Sequence, residues 1–84
     1  MMKVRLRFFA SLREALGPGE EVDLEAGSSL GQLRDRLIAR GGIHAQVLAR
    51  GRAVRCALNQ VMVDESSPVP DGAEVAFFPP VTGG

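Results

Sequence analysis

Leu30, Leu33, Leu37 and Ile38 fall at helical spacing and form the longest apolar helical stripe in this chain. Gly27-Ser28-Ser29 precedes the stripe and offers an N-cap; Gly41-Gly42 follows and closes it. Arg34, Asp35 and Arg36 fall mostly off the stripe and read as a solvated helix face. A single amphipathic helix of this kind must bury its stripe against something. The remaining apolar residues alternate with period two, so the partner it finds is one face of a sheet. The expected class is α+β, with a mixed sheet packed on one main helix.

The alternation locates the strands. Val4, Leu6 and Phe8 interleave with Lys3, Arg5 and Arg7, giving a strand with one apolar and one basic side. The period then changes over Phe9 to Leu16, where Phe9, Leu12 and Leu16 suggest a short helix ended by Gly17-Pro18-Gly19. Glu20 to Glu25 alternates again. Past the main helix the pattern weakens: Ile43, Val47 and Leu48 fit a short helical turn, and Arg50-Gly51-Arg52 a turn. Val54, Cys56 and Leu58 predict a third strand, Asn59-Gln60 a hairpin turn, and Val61 to Val63 its return. Ser66 to Gly72 is a turn-rich connection, and Ala73 to Phe78 the last strand. A first and last strand lying side by side in the middle would be parallel, linked by a right-handed crossover.

With 84 residues the chain makes one small domain, with no room for both a core and a deep active site. Ten basic and ten acidic residues give a formal net charge of zero, which argues against nucleic acid as a partner. No apolar run approaches a membrane span, and no secretory signal opens the chain, so the expected location is cytoplasmic. Cys56 is the one cysteine and His44 the one histidine. Neither makes a site alone; Cys56 reads as a small buried hydrophobe. No phosphate-binding glycine loop, metal-ligand spacing or paired carboxylate set is evident, so no metal or cofactor is expected on this chain and no catalytic residues of its own. Beyond Arg55 the charges are Asp64, Glu65, Asp71 and Glu74, an acidic end that a basic partner surface would complement.

That end carries the one chemically suggestive stretch. Phe77-Phe78 runs into Pro79-Pro80, which cannot extend a sheet and favours polyproline II. Val81-Thr82 favours extended backbone, and Gly83-Gly84 has no side chains, so it fits a narrow slot in another protein. Fully extended, residues 79–84 reach at most about 20 Å. The design suits delivering a carboxylate into a partner's active site.

The ending Phe77 to Gly84 resembles that of the MoaD family, the small subunits of molybdopterin synthase. Val4 to Phe9 followed by Ala10-Ser11-Leu12-Arg13-Glu14 is similar to the family's first strand and short helix. Leu58-Asn59-Gln60 resembles its hairpin, and Asp71 to Phe78 its final strand. The resemblance implies a ubiquitin-like β-grasp domain over residues 1–78 and an extended tail over 79–84. It implies that a ubiquitin-activating-like adenylyltransferase uses ATP to adenylate the Gly84 carboxylate, and that a persulfide donor converts it to a thiocarboxylate. The tail, with Gly83, Thr82 and Val81 passing the slot, would enter the large subunit of a heterotetrameric synthase. There it would give sulfur to cyclic pyranopterin monophosphate, building the molybdopterin dithiolene. Phe78, Leu58, Pro79 and Pro80 are the expected docking contacts.

Three other readings share parts of this pattern: a sulfur carrier for thiamin or for tRNA thiolation, a ubiquitin-like protein modifier, and a binding module with an inert tail. Lys3 is the only lysine, which speaks against lysine-linked chains of a modifier.

Overall fold

The computed structural model describes residues 1–79. Five strands and three helices follow in the order β1 (Met2–Phe8), α1 (Ala10–Leu16), β2 (Gly19–Leu24), α2 (Leu30–Ile38), α3 (Gly42–Val47), β3 (Arg55–Leu58), β4 (Val61–Val63) and β5 (Glu74–Phe78). The strands form one mixed sheet in the order β2-β1-β5-β3-β4. β1 and β5 pair in parallel at its centre, with Leu6 level with Val75 and Phe8 level with Phe77. The helices cover one face only. This is the ubiquitin-like β-grasp, of the α+β class that the single helical stripe requires.

Alternation becomes burial without exception along β1: Met2, Val4, Leu6 and Phe8 are buried, and Lys3, Arg5 and Arg7 are exposed. The buried set meets Leu30, Leu33 and Leu37 of α2 and Val75 and Phe77 of β5 in one core. Phe8 and Phe77 stack there with ring centroids 6.3 Å apart. Burying large side chains such as these contributes about 1.5–3 kcal/mol each.

The turns follow local chemistry. Ser29 Oγ accepts from the Gln32 amide at 3.2 Å, and Gln32 Oε1 accepts from the Ser29 amide at 2.8 Å, a reciprocal cap that starts α2. Asn59 and Gln60 both have positive φ, 49° and 70°, as a two-residue hairpin with the right twist demands. At Gly19 the constraint is contact: a Cβ there would lie 2.0 Å from the Leu6 carbonyl oxygen, so only glycine lets β2 close on β1.

Two expectations need correction. Phe9 does not share a helical face with Leu12 and Leu16. Its backbone is extended (φ −127°, ψ 157°) and its amide donates to the Phe77 carbonyl, so α1 begins at Ala10 and the ring turns to the helix-free face. Arg34 is not solvated: it is 3% exposed and reaches into the layer below α2. The short helical turn expected from Ile43, Val47 and Leu48 is α3, with Leu48 as its C-cap and its fully buried end, while Ile43 is exposed.

Arg34 holds that side of the molecule together. Its Nε donates to the Leu48 carbonyl at 2.8 Å, and Nη2 donates to those of Ala49 and Arg52 at 2.6 and 3.0 Å. Nη1 donates to Glu65 Oε2 at 2.7 Å. Arg50 closes the cluster through Glu65, Asp35 and the Gly31 carbonyl. The residues from 48 to 52 have no strand partner, and the buried guanidinium satisfies the carbonyls of Leu48, Ala49 and Arg52 instead.

Candidate functional site

β5 delivers the chain to Pro79, so the site is built around its last residues. Phe77 and Phe78 point to opposite faces, as neighbours on a strand must. Phe77 is fully buried under the helices. Phe78 lies half-buried on the bare face, level with Arg55 of β3. Phe9 meets it there edge to face, with ring centroids 6.4 Å apart and planes at 81°. The Arg7 guanidinium sits 5.5 Å from the Phe9 ring centroid, a cation over an aromatic face.

These side chains frame an open apolar concavity of about 530 Å³, floored by Ala57 and Ala76 and walled by Phe9, Met62, Phe78 and Pro79. Two small residues facing each other in register, Ala57 and Ala76, create the depression between the aromatic pair and Met62. Met62 is 53% exposed, far more than a core methionine. An apolar hollow of this kind at the root of a tail is a docking surface in form. The other large depressions lie elsewhere. One of about 410 Å³ between β2 and α2 is lined by Glu20, Glu21, Asp23, Arg36 and Arg40; one of about 640 Å³ flanks β4.

The expected docking contacts do not share one face. Leu58 is level with Val75, points to the helix side and packs against the core. Phe78 and Pro79 border the bare-face hollow. Pro80, Val81, Thr82, Gly83 and Gly84 lie outside the described residues. Phe9, Met62, Ala57 and Ala76, none of them an expected docking contact, complete the surface. Register with Phe78 was the signal that groups them.

The hollow is lined by one charge of each sign, Arg7 and Glu74. Arg5, Arg7 and Arg55 share the bare face. The acidic residues near the end of the chain are engaged within it. Asp71 accepts from the Lys3 amide at 2.9 Å, Glu65 is shared by Arg34 and Arg50, and Glu74 lies 3.8 Å from Arg7. Ser66 donates to Asp64 through both its amide and its hydroxyl, and these bonds hold the Asp64 carboxyl below its ordinary value.

Cys56 is buried on the core side of β3, and its thiol donates to the Val63 carbonyl at 3.4 Å. Burial pushes the thiol up from its ordinary value, and Glu65 and Asp64 add to the effect, so it is a poor nucleophile here. His44 on α3 has a buried Nε2 without a hydrogen-bond partner among the described residues. Among those residues no three His, Cys, Asp or Glu side chains come together as metal ligands would, and no helix is long and apolar enough to cross a membrane.

The chain is similar to known proteins over nearly its whole length. The model of the ThiS family matches residues 6–84. The molybdopterin synthase sulfur carrier subunit of Escherichia coli (strain K12) is 37% identical over 81 residues, covering 96% of this chain and 99% of that one. Its namesake from Mycobacterium tuberculosis (strain ATCC 25618 / H37Rv) is 36% identical over 86 residues, covering all of both. Among solved structures, the complex of subunits 1 and 2 of molybdopterin-converting factor from Helicobacter pylori 26695 contains a chain with TM-score 0.68 and 27% identity, covering 99% of this chain and 100% of that one. SAMP1 from Haloferax volcanii has TM-score 0.77 at 24% identity, covering 98% and 99%, a likeness of fold.

Proposed function

Because the chain belongs to the ThiS family, we propose that it is the sulfur carrier subunit of a molybdopterin synthase, with Gly84 as the residue that carries the sulfur. The observation that carries this reading is the end-to-end match to relatives bearing that name, at 36–37% identity. The bare-face hollow supports it, because a carrier needs a surface that seats its partner beside the tail.

The chemistry proceeds in three displacements. A carboxylate is a poor electrophile, so a partner adenylyltransferase first joins Gly84 to the AMP moiety of ATP, releasing pyrophosphate. A persulfide sulfur donor then attacks the acyl carbon, and AMP leaves. A thiol then attacks the donor's sulfur in the resulting acyl disulfide, forming a new disulfide with the donor and releasing the thiocarboxylate. The large synthase subunit receives the tail, where the sulfur acts on cyclic pyranopterin monophosphate. Anchoring at Phe78 and Pro79 holds the reactive end near its target and raises its effective concentration. The activating and acceptor enzymes supply the charge stabilisation for acyl transfer. Residues 1–78 serve as the body, residues 79–84 as the arm.

The test is the intact mass of the purified protein after incubation with ATP, a sulfur donor and an active adenylyltransferase. The expected result is a gain equal to exchange of one oxygen for sulfur, absent from a chain lacking Gly84. An unchanged mass with an enzyme verified on its own carrier would overturn the reading.

A further inference from the structure

We infer that the surface of this chain is arranged so that an activated Gly84 cannot acylate its own carrier; the inference rests on the acyl chemistry proposed above. The hazard is specific. A free amine attacking the activated acyl carbon forms a C–N bond, expels the leaving group and gives up a proton. The chain would be closed as a dead-end amide, one water lighter than the free acid.

Amines are what this surface lacks. Of its ten cationic side chains nine are arginines, and Lys3 is the one lysine. A guanidinium keeps its proton and does not act as an acyl acceptor under these conditions, so it supplies charge without nucleophilicity. The substitution matters most at the root of the tail. Arg55 is level with Phe78, and Arg7 is level with Ala76, both exposed on the bare face beside Pro79. A lysine at either place would lie within reach of a five-residue extension.

Lys3 is placed where that extension does not arrive. The Gly72 amide donates to the Lys3 carbonyl, so Lys3 is level with Gly72, seven residues before Pro79. At about 3.3 Å per strand residue the separation is about 23 Å. The five residues after Pro79 span at most about 17 Å, and reversing direction consumes two of them in a turn. The remaining reach, about 10 Å, falls short even with a lysine arm added. The ammonium is also drawn to the far side, towards β2: Nζ lies 3.3 Å from Asp23 and 3.8 Å from Glu21. The α-amine, on the Met1 side of β1, is more distant still. Parallel pairing of β1 with β5 enforces this separation, because both strands run away from the amines and towards the tail.

The experiment installs a Gly84 thioester chemically, so it needs no activating enzyme. A failure here is thereby distinguishable from a failure of oxygen-to-sulfur exchange. Wild type, Arg55→Lys and Arg7→Lys are held at mildly alkaline pH and followed by intact mass and peptide mapping at low concentration. Wild type is expected to give only the hydrolysed acid. At least one arginine-to-lysine variant is expected to give, in addition, a product one water lighter that maps to the introduced amine. Cyclisation of wild type through Lys3 or the α-amine would overturn the inference, as would hydrolysis alone in both variants.

Discussion

The guanidinium of Arg34 and the carboxylate of Glu65, 31 residues apart in sequence, meet at 2.7 Å with Arg34 almost wholly buried. The same guanidinium holds three backbone carbonyls of the segment after α3. Removing it takes the buried donor from those carbonyls and leaves Glu65 with Arg50 alone. Arg34→Ala is expected to cost about 3 kcal/mol or more. Glu65→Gln, which leaves the carbonyl contacts in place, is expected to cost about 1 kcal/mol. Urea unfolding followed by circular dichroism measures both, and equal losses would mean that the ion pair rather than the carbonyl set dominates.

The hairpin offers a stabilising change. Gln60 occupies left-handed backbone at φ 70°, which glycine adopts without strain. Gln60→Gly is expected to raise stability by about 0.5–1 kcal/mol. Asn59→Gly is not expected to match it, because Asn59 Oδ1 also accepts from the Glu74 amide at 3.0 Å. Thermal unfolding of the two variants side by side decides the point.

Phe78 and Leu58 separate docking from packing. Phe78→Ala removes a wall of the bare-face hollow, and the proposed function predicts at least about a tenfold loss of affinity for the large synthase subunit, or about 1.4 kcal/mol. Its stability should fall only modestly. Leu58→Ala should do the reverse, costing about 2 kcal/mol of stability through its contact with the core while binding holds. Calorimetric titration with the large subunit, together with urea unfolding, tests both; comparable binding losses would move the docking surface off the bare face.

Acid should weaken one tie between β2 and the end of α2. Arg40 forms a two-pronged pair with Glu20, at 2.7 and 3.0 Å, and its hydrogen bonds hold the Glu20 carboxyl below its ordinary value of 4.5. The ionised form is therefore the one that favours folding. Its contribution is complete above pH 4.5 and disappears as pH falls through the lowered value. Both side chains are well exposed, so the amount is about 0.3–0.5 kcal/mol. Glu20→Gln should flatten the acid limb of the stability curve by that amount, and 1 M salt should shrink the difference between the two proteins. A difference that grows with salt would contradict the pairing.

The sequence carried the strands and the main helix because each was written in local chemistry: alternation in Val4, Leu6 and Phe8, a cap at Ser29, a left-handed pair at Asn59-Gln60. It misplaced what depended on distant partners. Arg34 follows Leu33 at the edge of the apolar stripe, and only the carbonyls of Leu48, Ala49 and Arg52 together with the Glu65 carboxylate make its burial favourable. Phe9 fits a helical spacing with Leu12, but hydrogen bonding to Phe77 keeps it extended. Leu58 was legible after all, since alternation already groups it with Cys56 on the core side. The surface around Phe78 was not, because Phe9, Ala57 and Met62 belong to three separate segments that meet only through sheet register.

β5 lies between β1 and β3, so before it docks the sheet exists only as two separate hairpins, β1–β2 and β3–β4. Joining β1 to β5 closes a loop of almost the whole chain, the costliest closure in this topology. The strand that completes the sheet is also the strand that presents the tail. A partly folded chain thus has neither the hollow nor an anchored arm to offer, so under the proposed function a partner that reads both would select for carriers that have finished folding.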